Sequence, residues 1–365
     1  MVIEATTNAW HISDQLQPLV GRVVVAHPAK VKQIAAARVK TDKHDVLVLA
    51  QLLRADLVPE VWVPPQHVRD LRALIAHRQR RRRRRTMCRN RLRSLIHRYN
   101  LIPPSGELFA AKQRGWWATL QLSLTERLRM TQDLATLDHL APQIAAVEAD
   151  LQRLSTTAPW AEQVPYLVQL PGIGLISTMI LLSAIGDITR FGAAAKLVGY
   201  AGLGAGVHDS GQTHRTGPIT KEGRRELRAI LVAAAHTAAR TDPHWRQEYA
   251  RLARRIGDKK AIGALARKLL VVIWHVLLGQ TADACADAER VAFKLMVWSW
   301  KLTDAQRGGR TSRQFMRAHL IRLGIGHDLT HITRGGMKRP LATLEEVLAL
   351  RPELRGPPHA TGTSQ

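Results

Sequence analysis

Three acidic residues near the start of the chain, Glu4, Asp42 and Asp45, are of the type that hard divalent cations prefer. Mg²⁺ in phosphoryl transfer commonly takes one or two carboxylates per ion, gathered from separate elements. Glu4 stands at the end of a short apolar stretch, and Asp42 and Asp45 fall in KTDKHD at a helix start. A local explanation stands beside the metal one: Asp42 as an N-cap with Asp45 at N3, both satisfying amides and the helix dipole. Far downstream, Ser210 lies in HDSGQTHRTGPITKEGRRELR. A hydroxyl is a poor nucleophile until a base, a metal or a positive field activates it. Arg215, Lys221, Arg224, Arg225 and Arg228 cluster near it in sequence and could stabilise charge on a phosphodiester under attack. The competing reading is a serine that only makes a turn beside Gly211.

The charge pattern says what such chemistry would act on. Lysine and arginine total 54 against 29 acidic residues, a net charge of +25 with a pI near 11.2. A compact chain tolerates that excess poorly unless a polyanion neutralises it, so nucleic acid is the expected partner. Thirteen arginines and a single acid, Asp70, fall between Arg69 and Arg98. Within that stretch Arg80, Arg81, Arg82, Arg83, Arg84 and Arg85 would surround a helix on every face, including its apolar seam. Phosphate is the natural counter-charge. A second nucleic-acid signal is Leu170-Pro171-Gly172-Ile173-Gly174 between two helical segments. Gly172 and Gly174 would let the backbone approach a partner closely and aim amides outward at a helix N-terminus, where phosphate can sit without a sequence-specific side chain.

These residues need a framework. The first 65 residues alternate strand and helix: strand material at Val2-Ile3, a helix over Ala9 to Leu19, a strand at Val23 to Val25, a helix from Lys43 to Arg54, and a strand at Val61 to Val63 before Pro64-Pro65. Leu71, Leu74 and Ile75 return 21 residues later as Leu92, Leu95 and Ile96, three heptads in phase. Leu137, Leu140, Ile144, Val147, Leu151 and Leu154 form a 3-4 seam. The two segments are expected to pair antiparallel, with Pro142 kinking or restarting the second. Residues 161–300 read as a second, helical domain. Its Tyr200 to Gly217 stretch reads as a long polar loop, Thr220 as a helix cap, and Ala261 to Leu278 as a buried helix. Beyond Lys301 weak order is expected, apart from a helix over Leu344 to Leu350. The expected domains are therefore 1–65, 66–160, 161–300 and a basic tail, 301–365.

Composition excludes several classes. Two distant cysteines, Cys88 and Cys285, support neither a disulfide framework nor a cysteine zinc site, which suits a reducing cytoplasm. The start has no secretory pattern, and the apolar run Leu269 to Leu278 is about half the ~20 residues of a spanning helix, so no membrane association is expected.

Taken in order, Glu4-Ala5-Thr6, then KTDKHD with Leu49-Ala50, a coiled coil, LPGIG, Ser210-Gly211, Ile219-Thr220-Lys221-Glu222-Gly223 and Leu227-Arg228 resemble the DEDD-type insertion-sequence transposases, bridge-RNA-guided serine recombinases. The likeness covers about residues 1 to 280. It implies a truncated RuvC-like, ribonuclease H-type α/β domain whose metal ligands, to Mg²⁺ or Mn²⁺, include Glu4, Asp42 and Asp45. It further implies a mostly α transposase domain of the helix-hairpin-helix type in which Ser210 forms a covalent link to a DNA phosphate. The implied partners are DNA, a structured noncoding guide RNA, and further copies of the chain, as dimers that pair into a tetramer in a bacterial, nucleoid-associated setting. The nucleic-acid contacts would come from Arg80 to Arg85, Gly172, Gly174, Lys221, Arg224 and Arg225.

The family's ligand quartet begins with an aspartate tens of residues before the EAT motif, and this chain begins at Met1-Val2-Ile3-Glu4. The expectation is a sheet short of two or three strands, through a misassigned start or a truncation. Two further readings follow from the same residues. One is an inactive nucleic-acid-binding remnant, and the other a hydrolytic junction nuclease that uses the acids and water.

Overall fold

The computed structural model describes residues 1–34, 41–210, 213–334 and 337–350. Lys40, Gly211 and the tail from residue 351 therefore lie outside the described residues. The chain divides into two compact units, Met1–Arg69 and Asp70–Gln365.

In the first unit β1 (Val2–Glu4) pairs in parallel with β2 (Val24–Ala26), joined by α1 (Ala9–Leu16). This is the α/β rhythm expected, with α1 ending three residues early. Helix α2 (Pro28–Ile34) follows β2, and α3 (Asp42–Arg54) lies beside β1. The core is small: Ala9, Val24, Val25, Ala26, Leu52 and Val68 are buried. The third strand expected at Val61 to Val63 is reduced to a single antiparallel bridge between Ala26 and Glu60, flanked by His27 N–H to Pro59 O at 2.9 Å and Val61 N–H to Val25 O at 2.7 Å. The Pro64-Pro65 pair that follows supplies no N–H to extend a ladder.

The second unit is helical. Helix α4 (Gln66–Arg98) enters it and runs unbroken through the arginine tract. After α5 (Arg114–Thr119), α6 (Leu124–Leu154) returns along it. The cross-pairs settle the direction: Arg98 with Glu126, Arg91 with Asp133, Arg81 with Gln143 and Arg78 with Glu148. As one number falls the other rises, so the helices are antiparallel, as the heptads predicted. Leu92, Leu95, Met130, Leu134 and Leu137 form one buried cluster with Phe109 and Trp117. Pro142 lies inside α6 and does not restart it, which removes one of the two outcomes expected of it. The buried residues on either side, Leu140 and Ile144, hold both turns in place despite the one missing backbone bond.

The remainder begins with α7 (Val164–Val168), α8 (Leu175–Ile185) and α9 (Ala194–Tyr200). The expected polar loop is instead an antiparallel hairpin, β3 (Ala205–Ser210) with β4 (Thr213–Ile219). Thr220 caps nothing: α10 (Arg225–Thr241) starts five residues later, with Arg224 at its N-cap. Helices α11 (Pro243–Ile256) and α12 (Asp258–Gly279) complete a bundle in which α12 touches α9, α10 and α11. Helix α12 is long and apolar enough to cross a membrane by length and composition, yet Leu265, Leu269, Leu270 and Ile273 are fully buried among its neighbours, as in a core helix.

The stretch after Lys301 corrects the expectation of weak order. Helix α13 (Ala288–Ser299) packs on α14 (Ser312–Leu323), which opens with a complete capping box between Thr311 and Gln314. Trp298 stacks edge-on against Phe315 at 4.9 Å and donates to Ser155 Oγ at 3.1 Å. A hairpin, β5 (His331–Arg334) with β6 (Met337–Pro340), and α15 (Leu344–Leu350) close the described chain. Apolar residues scattered among arginines masked this small core in the sequence.

Candidate nucleic-acid interface and serine hairpin

Ser210 is the last residue of β3, paired with Thr213, so it stands exposed at the tip of the hairpin. The root of that hairpin is tied down first by backbone bonds. Thr220 N–H donates to Gly204 O at 2.9 Å, Lys221 N–H to Gly202 O at 3.2 Å, and Arg224 N–H to Tyr200 O at 3.1 Å. The loop after β4 thus lies directly on the loop before β3. Two glycines make the approach possible. A Cβ on Gly202 (φ +66°) would come within 2.5 Å of Glu222 O, and one on Gly223 (φ +131°) would overlap Tyr200 O. Lys221 itself has φ +57°. Arg228 Nη1 adds a bond to Ala201 O at 3.0 Å. Of the residues expected here, the structure brings Lys221, Arg224 and Arg225 together at the hairpin root, between β4 and the first turn of α10.

The arginine tract is less uniform than its composition suggests. Arg78, where the apolar seam should run, is buried and donates through Nε to Glu148 Oε1 at 2.8 Å. Arg81 bonds Gln143 Oε1 at 2.9 Å. Arg80, Arg82, Arg83 and Arg84 are exposed, and Arg81 and Arg85 half-buried. The tract was expected not to pack against a hydrophobic partner; its inner side is satisfied instead by polar groups of α6, Glu148 and Gln143, while the outer side is cationic. A groove of about 680 Å³ runs beside it, lined by Arg82, Arg83, Ile180, Arg225 and Ile230.

Gly172 has φ +75°, and a Cβ there would overlap the carbonyl oxygen of Ala234 in α10. The close approach expected of it is therefore made to this chain's own backbone. Gly174, at the N-cap of α8 with open space around it, is exposed. The turn is braced from below, where the Lys294 ammonium bonds Leu170 O. Burial pulls the Lys294 pKa down to about 7, against the opposing pull of Asp242.

In the first unit Glu4 ends β1 and is exposed, and Asp42 and Asp45 are exposed in the first turn of α3. The cap of α3 is Thr41, whose Oγ1 accepts from His44 N–H at 3.3 Å, so Asp42 occupies N1 and Asp45 N4 rather than the N-cap and N3. Among the described residues no group of three or more His, Cys, Asp or Glu side chains is gathered closely enough to hold a metal ion. Glu4, Asp42 and Asp45 as placed here do not form a set that fits a divalent ion.

Sequence reasoning overlooked Arg72, Arg190 and Tyr200, which meet Arg224 at the hairpin root. The one signal that could have found them was Tyr200 at the head of the glycine-rich segment.

Comparison with known proteins supplies the class. Residues 164–250 match the family model for the transposase IS116/IS110/IS902 family, and residues 1–101 match the transposase model of the DEDD IS110 type. The two together span just over half of the chain. A protein of Sinorhizobium fredii named as a transposase is 27% identical over 308 residues, 83% of this chain and 75% of the relative. The transposase for insertion sequence element IS1111A of Coxiella burnetii is 26% identical over 291 residues, covering 78% and 79% of the two chains. The pilin gene-inverting protein of Moraxella bovis is 27% identical over 286 residues, 76% of this chain and 79% of that one. The class is that of the DNA transposases and recombinases. Within it, the chain belongs to the IS110 family of insertion-sequence transposases.

Proposed function

We propose that the chain cuts and rejoins DNA by means of Ser210. The observation that carries this reading is the position of that hydroxyl, exposed at the tip of a hairpin inside the matched segment 164–250, with Lys221, Arg224 and Arg225 at the hairpin root. In the forward step Ser210 Oγ attacks the phosphorus of a phosphodiester and gives up its proton to solvent. The Oγ–P bond forms as the bond from phosphorus to one strand oxygen breaks, and that oxygen leaves as a hydroxyl end after taking a proton. In the return step the hydroxyl end of a partner strand attacks the phosphoserine, restores the diester and frees the serine. The bond energy of the broken diester is held in the link, so no external energy source is required.

Arginines lower the barrier by stabilising the charge that builds on the phosphoryl oxygens. A structured noncoding RNA that pairs with the DNA, and assembly of dimers into a tetramer, belong to the same proposal. They are supported by the likeness of the motifs and by the cationic outer side of α4. The helix-hairpin-helix role of the LPGIG turn stands likewise, with Gly174 as the outward contact and Gly172 as an internal one.

Incubating the chain with DNA carrying its own element's ends, then denaturing and resolving the products, tests the reading. A protein-DNA adduct is expected for the wild type and none for Ser210→Ala. Cleavage that survives in Ser210→Ala would point to the hydrolytic nuclease instead, and salt-sensitive binding without an adduct in the wild type would leave only a binding role.

A further inference from the structure

Four side chains from separate segments converge on the C-terminal end of α8: Arg72 of α4, Arg190 after α8, Tyr200 closing α9, and Arg224 before α10. Arg72 donates through Nε to Ser183 O at 2.7 Å and through Nη2 to Ala184 O at 3.2 Å. Tyr200 OH donates to the same Ala184 O at 3.1 Å, and Arg190 Nε donates to Ile185 O at 3.1 Å. Arg224 Nε in turn donates to the Tyr200 hydroxyl at 3.0 Å. The Arg190 guanidinium lies 4.0 Å from the centroid of Phe191 and 4.5 Å from that of Tyr200, which fixes its plane. All four residues are half-buried and reachable from solvent.

Three guanidiniums thus meet around one phenol. The helix C-terminus and Asp187, whose carboxylate is bonded by Thr189 and acts on Arg190, are negative groups that help to gather them. Burial first, and then the neighbouring Arg224, pull Arg72 down to about 10. Burial opposes ionisation of Tyr200, yet Arg224, Arg190 and Arg72 outweigh it and hold the phenol below its usual range. A phosphodiester charge would be stabilised by the same three cations. Each guanidinium carries five donors, so the carbonyl bonds and an anion are compatible.

We propose that Arg72, Arg190 and Arg224, arranged around the Tyr200 hydroxyl, bind one backbone phosphate of a nucleic-acid strand at the root of the hairpin that carries Ser210. The proposal rests on the reading of Ser210 above and adds the anchor that would hold the strand during the exchange. Arg72, Arg190 and Tyr200 act as positioning residues, since none is placed at the reacting atom.

Two measurements on the full chain test it. In the first, thermal melting is followed with inorganic phosphate at about 50 mM against chloride at equal ionic strength. The wild type is expected to gain about 2 °C, the shift of a site with a Kd near 10 mM. Arg190→Gln and Arg224→Gln should abolish the gain, and Arg190→Lys should keep part of it. In the second, a fluorescein-labelled single-stranded oligonucleotide of mixed sequence is titrated at several salt concentrations. Each glutamine variant should lower the slope of log K against log salt by about 0.7, the equivalent of one phosphate on a single strand. Arg224 also anchors Tyr200, so Arg190→Gln is the decisive variant if Arg224→Gln melts early. An equal phosphate shift in wild type and variants, or none in either, overturns the site. An abolished phosphate shift with an unchanged oligonucleotide slope means a site for free phosphate and overturns the assignment to a strand. Neither readout involves cleavage, so an absent Ser210 adduct would sink the proposed chemistry while leaving this result to stand by itself.

Discussion

At Gly172 the backbone takes φ +75°, a region an L side chain enters at a cost of roughly 1–2 kcal/mol, and the missing Cβ is where the Ala234 carbonyl oxygen sits. Gly174, two residues on, has φ −100° and nothing within 4 Å of where its Cβ would be. The two glycines of one turn therefore predict different results. Gly172→Ala should destabilise the protein by about 2–4 kcal/mol, strain and overlap combined, while Gly174→Ala should cost under about 1 kcal/mol, the effect of a poorer N-cap. Urea titration of both variants checks this, and equal destabilisation would refute it. If Gly174 meets a DNA phosphate, Gly174→Ala will instead show its effect as weakened DNA binding by a normally folded protein.

Between elements, polar pairs rather than apolar area alone decide how helices meet. On the α11–α12 face the Glu248 carboxylate accepts two bonds from Arg251, at 2.9 and 2.8 Å, and lies 2.8 Å from Lys268 Nζ of the neighbouring helix. Those donors, Arg251 first, hold its pKa down at about 2 against an ordinary 4.5. A carboxyl depressed in the folded state contributes stability that is fully present above about pH 4.5 and is lost as the pH falls towards 2. Glu248→Gln should accordingly melt lower than the wild type at pH 7, with the gap closing between pH 4.5 and 2. Melting temperatures measured across that range give the answer, and a gap independent of pH would remove the carboxylate from the account. The same kind of pairing explains the α4–α6 coiled coil, where Arg78 takes a seam position and is bonded there by Glu148.

For the whole molecule the governing quantity is +25 of charge, spread so that the tract on α4 and the hairpin root are both cationic. Arg80, Arg83 and Arg84 are exposed and accessible to a duplex. Replacing these three with glutamine should weaken binding to any DNA sequence to a similar degree. It should also lower the salt slope by about 0.9 for each phosphate that is no longer neutralised, with little change in melting temperature. Binding assays on two unrelated duplexes at several salt concentrations measure this. Weakening confined to one sequence would mean that these arginines read bases rather than backbone.

Sequence alone determined what periodicity and composition can encode. The antiparallel pairing of α4 and α6, the helix expected over Lys43 to Arg54, the apolar α12 and the polyanionic partner all follow from local spacing or summed charge, which survive without knowledge of neighbours. Ser210 was also legible as a candidate, through the order of short motifs around it. Its setting was not: a glycine-rich polar stretch reads as loop, and only the pairing of β3 with β4, closed at the root by the bonds from Thr220 and Lys221 to Gly204 and Gly202, makes it a hairpin. The ordered segment after Lys301 escaped notice because its apolar residues acquire meaning only when Trp298 and Phe315 meet. The acids at positions 4, 42 and 45 suggested a metal centre by type, but ligation is decided by distances that no spacing in sequence prescribes, and the described residues do not supply them. The Arg72, Arg190, Tyr200 and Arg224 cluster is the plainest case. Its members are up to 152 positions apart, and only folding brings their charges together.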